Sequence, residues 1–175
     1  PLNLDSWLNT AIFLIYLFFD FAGYSKVALG LGILYRIHTP DNFNNPFLSC
    51  SMTEFWTRWH ISLGIFVRRN IFYPVQLRLV RLMGRNKALI ANILTLMLSF
   101  GMVGLWHRFT WKFFVWGLAM GLVLAFEKYT REFFQSKAVS QTPYFRIGIR
   151  VAGPIYAFII CTTAVYFVAD EIFVI

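Results

Sequence analysis

Charged side chains are scarce in this sequence: 14% of 175 residues, against roughly 25% in soluble domains. A soluble chain of this length would still expose about 30% of its unfolded surface after folding, and the polar cover for that is missing. Acidic residues are the rarest, with 8 Asp and Glu against 16 Lys and Arg. The chain is also too apolar for disorder, which requires low hydrophobicity and high charge. Cysteine occurs only at Cys50 and Cys161, far from the dense, regular spacing of a disulfide scaffold. No basic stretch leads into an apolar run with a small-residue cleavage site, so the amino-terminal segment does not read as a secretory signal. HExxH, CxxC and GxSxG patterns are absent, and the three histidines lie far apart without nearby carboxylates. Such a donor set is poor for a metal, and none is expected. Gly30-Leu31-Gly32 is too short for a phosphate loop.

Apolar length is abundant. Hydrophobic residues make up 58% and aromatics 19%, with a mean hydropathy of +0.61. The composition predicts an all-α, polytopic membrane protein, a single membrane domain over residues 1–175, belonging to a longer protein. The formal charge of +8 then points to cytoplasmic loops facing anionic headgroups of the lipid bilayer, and no nucleic acid is expected.

Four segments are long enough to cross about 30 Å of hydrocarbon. Residues 6–35 form the first, with Asp20 and Lys26 within or near it. Asp20 reads either as a proton or ion site or as a helix-interior acid paired with Lys26 or a backbone donor. Residues 88–106 are an uncharged run of 19, about 28 Å as a helix. Residues 109–126 follow after a short link, so the two predict an antiparallel hairpin; Gly117 and Gly121 give it a GxxxG for close packing. Residues 151–169 are the fourth, with Asp170 and Glu171 beyond. Residues 36–87 differ: eight basic residues against two acidic, opened by the Asn- and Pro-rich stretch from His38 to Pro46. Ser51-Met52-Thr53-Glu54 predicts a capping box. The helix it starts is expected to run through Arg69 in or on the membrane, as an interfacial or re-entrant segment. Trp56, Trp59, His60 and Leu63 would share one face of it. By the positive-inside rule, the basic segments 36–87 and 127–150 face the cytoplasm and the hairpin tip near His107 lies toward the other side.

His38 reads as solvated. His60 and His107 each follow a tryptophan, at membrane-adjacent depths where a polar ring is costly. They are either interfacial histidines beside a Trp belt or imidazoles in a polar cavity. Neutral imidazole accepts a proton near pH 7 and can serve as general base toward a hydroxyl. A relay for ion or proton transport, with Asp20 and Lys26, is the reading from another class.

The strings FFDFAGYSKVALGLG (18–32), NFNNPFLS (42–49), EFWTRWHISL (54–63), GLWH (104–107) and TWKFFVWG (110–117) together resemble the membrane-bound O-acyltransferase family. The resemblance covers about residues 12–128 and implies the carboxy-terminal part of a longer, multi-pass protein of the bacterial plasma membrane. It implies His107 as the catalytic residue and His60 as its partner across a tunnel, with Trp59 and Trp106 as tunnel lining. Two branches are similar. One moves D-alanine from the phosphopantetheine thioester of an acyl carrier protein toward lipoteichoic acid. The other O-acetylates alginate and related exopolysaccharides. Phe19–Ser25, Pro46–Ser49 and the short link from Tyr73 to the hairpin favour the first. The implied partners are the carrier protein and a cell-envelope polymer or an acceptor-side membrane protein. No permanently bound cofactor is implied. Two positions depart from the family pattern: Arg108 stands where Gly usually follows the GLWH histidine, and Arg69 stands where Asp usually follows the arginine at 68. Taken alone, this stretch is expected to be inactive, because unpaired polar groups in lipid cost several kcal/mol each.

Overall fold

A computed structural model describes residues 6–135 and 143–172, with side chains described through Thr130 and again from Gly148. The described residues are helical, with no strand longer than an isolated bridge. The helices are α1 (Trp7–Leu34), α2 (Met52–Arg58), α3 (Ile61–Val67), α4 (Tyr73–Met83), α5 (Ala88–His107), α6 (Trp111–Gln135), α7 (Pro143–Phe167) and α8 (Ala169–Ile172). Four stretches are long and apolar enough to cross a membrane: Trp7–Leu34, Arg85–His107, Trp111–Thr130 and Gly148–Phe167. These correspond to the four segments expected from the sequence. The middle of the expected cytoplasmic segment 127–150, residues 136–142, lies outside the described residues. Two compact units divide the chain, residues 1–64 with 153–175, and residues 65–152.

In the first unit, α1 starts at Ser6, whose hydroxyl accepts from the Asn9 backbone N–H at 3.2 Å. Its apolar residues do not concentrate on one side. Phe13 and Leu14 are buried, whereas Ile12, Ile15 and Phe19 are exposed, as suits a helix with both protein-facing and lipid-facing sides. Phe13 packs with Leu17, Val165, Ala169 and Ile172. Trp7 Nε1 donates to Thr163 Oγ1 at 3.2 Å. α1 ends in a Schellman closure: Ile37 N–H donates to Gly32 O at 2.8 Å and Arg36 N–H to Ile33 O at 3.1 Å. Lys26 pairs with Asp41 at 2.5 Å, not with Asp20. Six residues along a helix turn the side chain about 120° away, so Lys26 and Asp20 point apart. The Lys26–Asp41 pair instead ties the Asn- and Pro-rich segment to α1.

The expected continuous helix from Glu54 through Arg69 is broken. α2 stops at Trp59, which is extended (φ −104°, ψ 127°). His60 follows in the left-handed region at φ 46°, and α3 restarts with Gly64 N–H donating to His60 O at 3.1 Å. The cause is tertiary. Residues 42–44 run antiparallel beside 58–61: Asn44 N–H donates to Arg58 O at 2.9 Å, Ile61 N–H to Asn42 O at 3.0 Å, and Phe43 and Trp59 form the bridge. Two cross-chain bonds replace helical ones and divert the chain. The helix start does follow the sequence reading, with Glu54 N–H donating to Ser51 Oγ at 3.1 Å. The Glu54 carboxylate, however, reaches the Cys50 N–H at 2.6 Å and the Arg58 guanidinium at 2.5 Å. Cys161 is buried and its thiol donates to Met52 Sδ at 3.8 Å; both cysteines are free.

In the second unit, α5 and α6 form the expected hairpin, joined by Arg108–Thr110. Glycine sets their separation. A Cβ on Gly104 would strike the Phe113 carbonyl oxygen, and one on Gly117 the Phe100 carbonyl oxygen; at Gly121 it would meet Met97 Cα at 2.6 Å. Lipid offers no hydrophobic drive between helices, so such close backbone approach supplies the packing energy. Lys128 Nζ donates to the buried Asn92 Oδ1 at 3.2 Å, placing the one amide of α5 against a cation near the end of α6. Ahead of the hairpin, Arg68–Phe72 forms one π-helical stretch leading into α4. α4 buries none of its residues and carries Arg78 and Arg81 among apolar neighbours. A basic, amphipathic helix of this kind suits the membrane–water boundary.

Candidate active site

The two histidines singled out from the sequence fall in different units, and each is fixed by its own surroundings. His107 is the last residue of α5 and is exposed. The turn beyond it is closed by Arg108 N–H donating to Gly104 O at 3.1 Å and Thr110 N–H to Arg108 O at 2.8 Å. Thr110 Oγ1 then accepts from Phe113 N–H at 3.5 Å, opening α6. Three rings frame the imidazole: Trp106 at 4.8 Å, Trp116 edge-on at 5.9 Å and Phe113 at 6.4 Å between centroids. Trp116 is buried, whereas Trp106 is 64% exposed. Gly104 allows this corner to form, because the carbonyl of Phe113 occupies the space a side chain there would need. The GLWH string therefore has separable jobs: its glycine admits α6, and its histidine closes the helix.

His60 sits at the break between α2 and α3 and is half-buried. That burial lowers its pKa below the ordinary 6.5, because desolvation penalises the imidazolium. Phe21 of α1 stands edge-on to the ring at 4.8 Å and 90°. On its other edge the ring meets Asn42, with Nδ1 and Oδ1 3.4 Å apart. The same Asn42 oxygen accepts from the Ser62 backbone N–H at 3.1 Å and from Ser62 Oγ at 2.6 Å. Asn42 thus caps the start of α3 from a position 20 residues before Ser62. Trp59 turns the opposite way, into a ring cluster: it stacks on Phe55 at 5.5 Å and stands edge-on to Phe43 at 5.2 Å, and Phe18 and Phe47 complete the group.

Other sequence-level candidates resolve simply. His38 is exposed. Asp20 is exposed on α1. No three His, Cys, Asp or Glu side chains gather among the described residues. Sequence reasoning passed over Asn42 and Ser62. Asn42 was visible only as part of a turn-rich string, and Ser62 as a helix-interior serine; what joins them to His60 is the cross-chain pairing of 42–44 with 58–61.

Comparison with known proteins agrees with this arrangement of motifs. Residues 5–169 match the membrane-bound O-acyltransferase family. A probable alginate O-acetylase of Azotobacter vinelandii is 37% identical over 131 residues, which is 75% of this chain and 25% of that protein. A peptidoglycan O-acetyltransferase of Helicobacter pylori is 34% identical over 134 residues, 74% of this chain and 24% of its own. A teichoic acid D-alanyltransferase of Streptococcus thermophilus is 40% identical over 116 residues, 62% of this chain and 26% of its own. The chain spans about a quarter of the length of these relatives. With the match running from α1 through α7 and both histidine motifs inside it, this chain belongs to the membrane-bound O-acyltransferase family.

Proposed function

We propose that this chain carries the reacting histidines of a membrane-embedded enzyme that moves an acyl group from a carrier-protein thioester to a hydroxyl of a cell-envelope polymer. The observation that carries the reading is His107: the family motif GLWH ends on an imidazole at the exposed tip of a glycine-tight hairpin. There the ring can take the proton of an attacking hydroxyl. The hydroxyl oxygen bonds to the thioester carbonyl carbon, the carbon–sulfur bond breaks, and the proton returns from the imidazolium to the departing thiolate. The thioester is already activated, so no acyl-enzyme is required. His60 orients or polarises the reacting groups. A donor on one side of the bilayer and an acceptor on the other would meet in the protein, so neither has to cross.

D-alanine is the favoured acyl group and lipoteichoic acid the favoured acceptor. Phe19–Ser25, Pro46–Ser49 and the short link from Tyr73 to the hairpin, filled by α4 and one turn of 3-10 helix, support that choice. The greater coverage by the alginate O-acetylases, 75% of this chain against 62%, supports O-acetylation as the second reading. The test supplies membranes containing the intact protein with carrier-bound labelled D-alanyl and acetyl thioesters in parallel. D-alanyl label in the polymer, without acetyl label, is expected. Acetyl label alone would select the second reading, and transfer of neither would remove both.

A further inference from the structure

The nitrogen of His60 that is free to meet a substrate can be read from the backbone. A backbone N–H can only donate. Ser62 N–H points at Asn42 Oδ1 at 3.1 Å, so that amide atom is the oxygen and not the nitrogen. An amide oxygen can only accept. The His60 Nδ1 that faces it at 3.4 Å must therefore carry hydrogen, because two lone pairs at that distance would repel. In neutral imidazole only one nitrogen is protonated. The remaining one, Nε2, is then a bare acceptor.

We propose that Asn42 is a positioning residue for His60: it holds the ring as the Nδ1–H tautomer, so that Nε2 accepts a hydrogen bond from the hydroxyl substrate. The inference rests on the reading that His60 takes part in acyl transfer, and it sharpens that role. A neutral ring in this tautomer cannot donate from Nε2 to a developing oxyanion. It can accept from a hydroxyl and hold that group in line with a thioester carbonyl. Orientation of this kind contributes through geometry, and misplacement by about 1 Å can cost about a hundredfold in rate.

Several features of the first unit enforce the arrangement. His60 adopts φ 46°, a left-handed conformation that strains a non-glycine residue. The backbone bonds Ile61 N–H to Asn42 O and Asn44 N–H to Arg58 O hold it there. Phe21 blocks the ring from swinging toward α1. Burial independently favours the neutral form. The charged groups on the surrounding elements are largely matched: Lys26 of α1 with Asp41, and Arg58 with Glu54 on α2. Asp20 of α1 and Arg36 beyond its end are exposed. The uncharged Asn42 amide is the group that faces Nδ1 directly.

The experiment uses the intact protein, labelled with nitrogen-15 histidine, in nanodiscs. Ring-nitrogen shifts distinguish a protonated nitrogen from a bare one. With His60→Gln identifying the signal, His60 is expected as the Nδ1–H tautomer, moving in Asn42→Ala toward the Nε2–H form that free imidazole prefers. Finding Nε2–H in the unmodified protein, or an unchanged ring in Asn42→Ala, would overturn the inference. Kinetics supply the second arm. Asn42→Ala should lower kcat by about ten- to a hundredfold. Asn42→Asp keeps the acceptor and the cap of α3, so it should retain activity at alkaline pH. Its carboxylate favours imidazolium, so the acid limb of its pH profile should move up by about one pH unit or more. An unmoved acid limb in Asn42→Asp would mean that residue 42 does not act on the ring, and would also overturn the proposal. His60→Ala run alongside separates the two claims: near-normal transfer would reject the role of His60 in catalysis, whereas the nitrogen shifts decide the tautomer on their own.

Discussion

Left-handed backbone marks the residues where this fold is under most local constraint. Arg36 occupies the position after α1 where the Schellman closure favours glycine, at φ 57°. Its side chain is exposed, so little packing would be lost on its removal. Arg36→Gly should therefore stabilise the protein by about 0.5–1 kcal/mol, the relief of left-handed strain less the added freedom of the unfolded chain. Thermal unfolding in detergent measures this, and a destabilised variant would mean that the guanidinium holds something the closure needs. His60 shares the strained conformation and adds a titration. Its folded pKa lies below 6.5, so between the folded and unfolded values the unfolded chain binds more protons. Stability then rises with pH across that window, and is lost as pH falls from about 6.5 through the folded value. Replacing His60 with Gln should flatten that part of the stability–pH curve. An identical acid slope in the variant would assign the loss to other groups.

At the scale of elements, glycine contacts govern the α5–α6 hairpin. Gly117→Leu places a branched side chain where the Phe100 carbonyl already sits. The helices must separate, at a cost of about 1–3 kcal/mol or more. Gly23→Ala, in open space on α1, should do no harm and serves as the control. Denaturant titration in micelles compares the two; equal midpoints would show that the hairpin does not depend on close approach. The membrane-spanning helices were legible in the sequence because their signal is composition over length, and lipid rewards nothing else. The hairpin was legible too, from two apolar runs, 88–106 and 109–126, with only His107 and Arg108 between them. The break at Trp59–His60 was not. Periodicity placed Trp56, Trp59, His60 and Leu63 on one helical face, and locally that pattern is sound. The competing cause lies upstream, in Asn42–Asn44, whose backbone bonds outbid the helix. For the same reason the sequence offered His60 as a candidate but not Asn42.

For the whole molecule, family membership, four helices long and apolar enough to cross a membrane, and two histidine motifs support the acyl transfer proposed above. The account stands on His107 more than on any other residue, since the proton of the attacking hydroxyl has to go to a base and GLWH places an imidazole at the end of α5. The most direct test is transfer of labelled acyl group from carrier thioester to polymer, in membranes containing the intact protein or its His107→Ala variant, with protein abundance measured in parallel. Loss of about a hundredfold or more, at unchanged abundance and with His38→Ala near normal, is the result the account predicts. Near-normal transfer by His107→Ala would contradict it and leave His107 as an interfacial histidine beside Trp106.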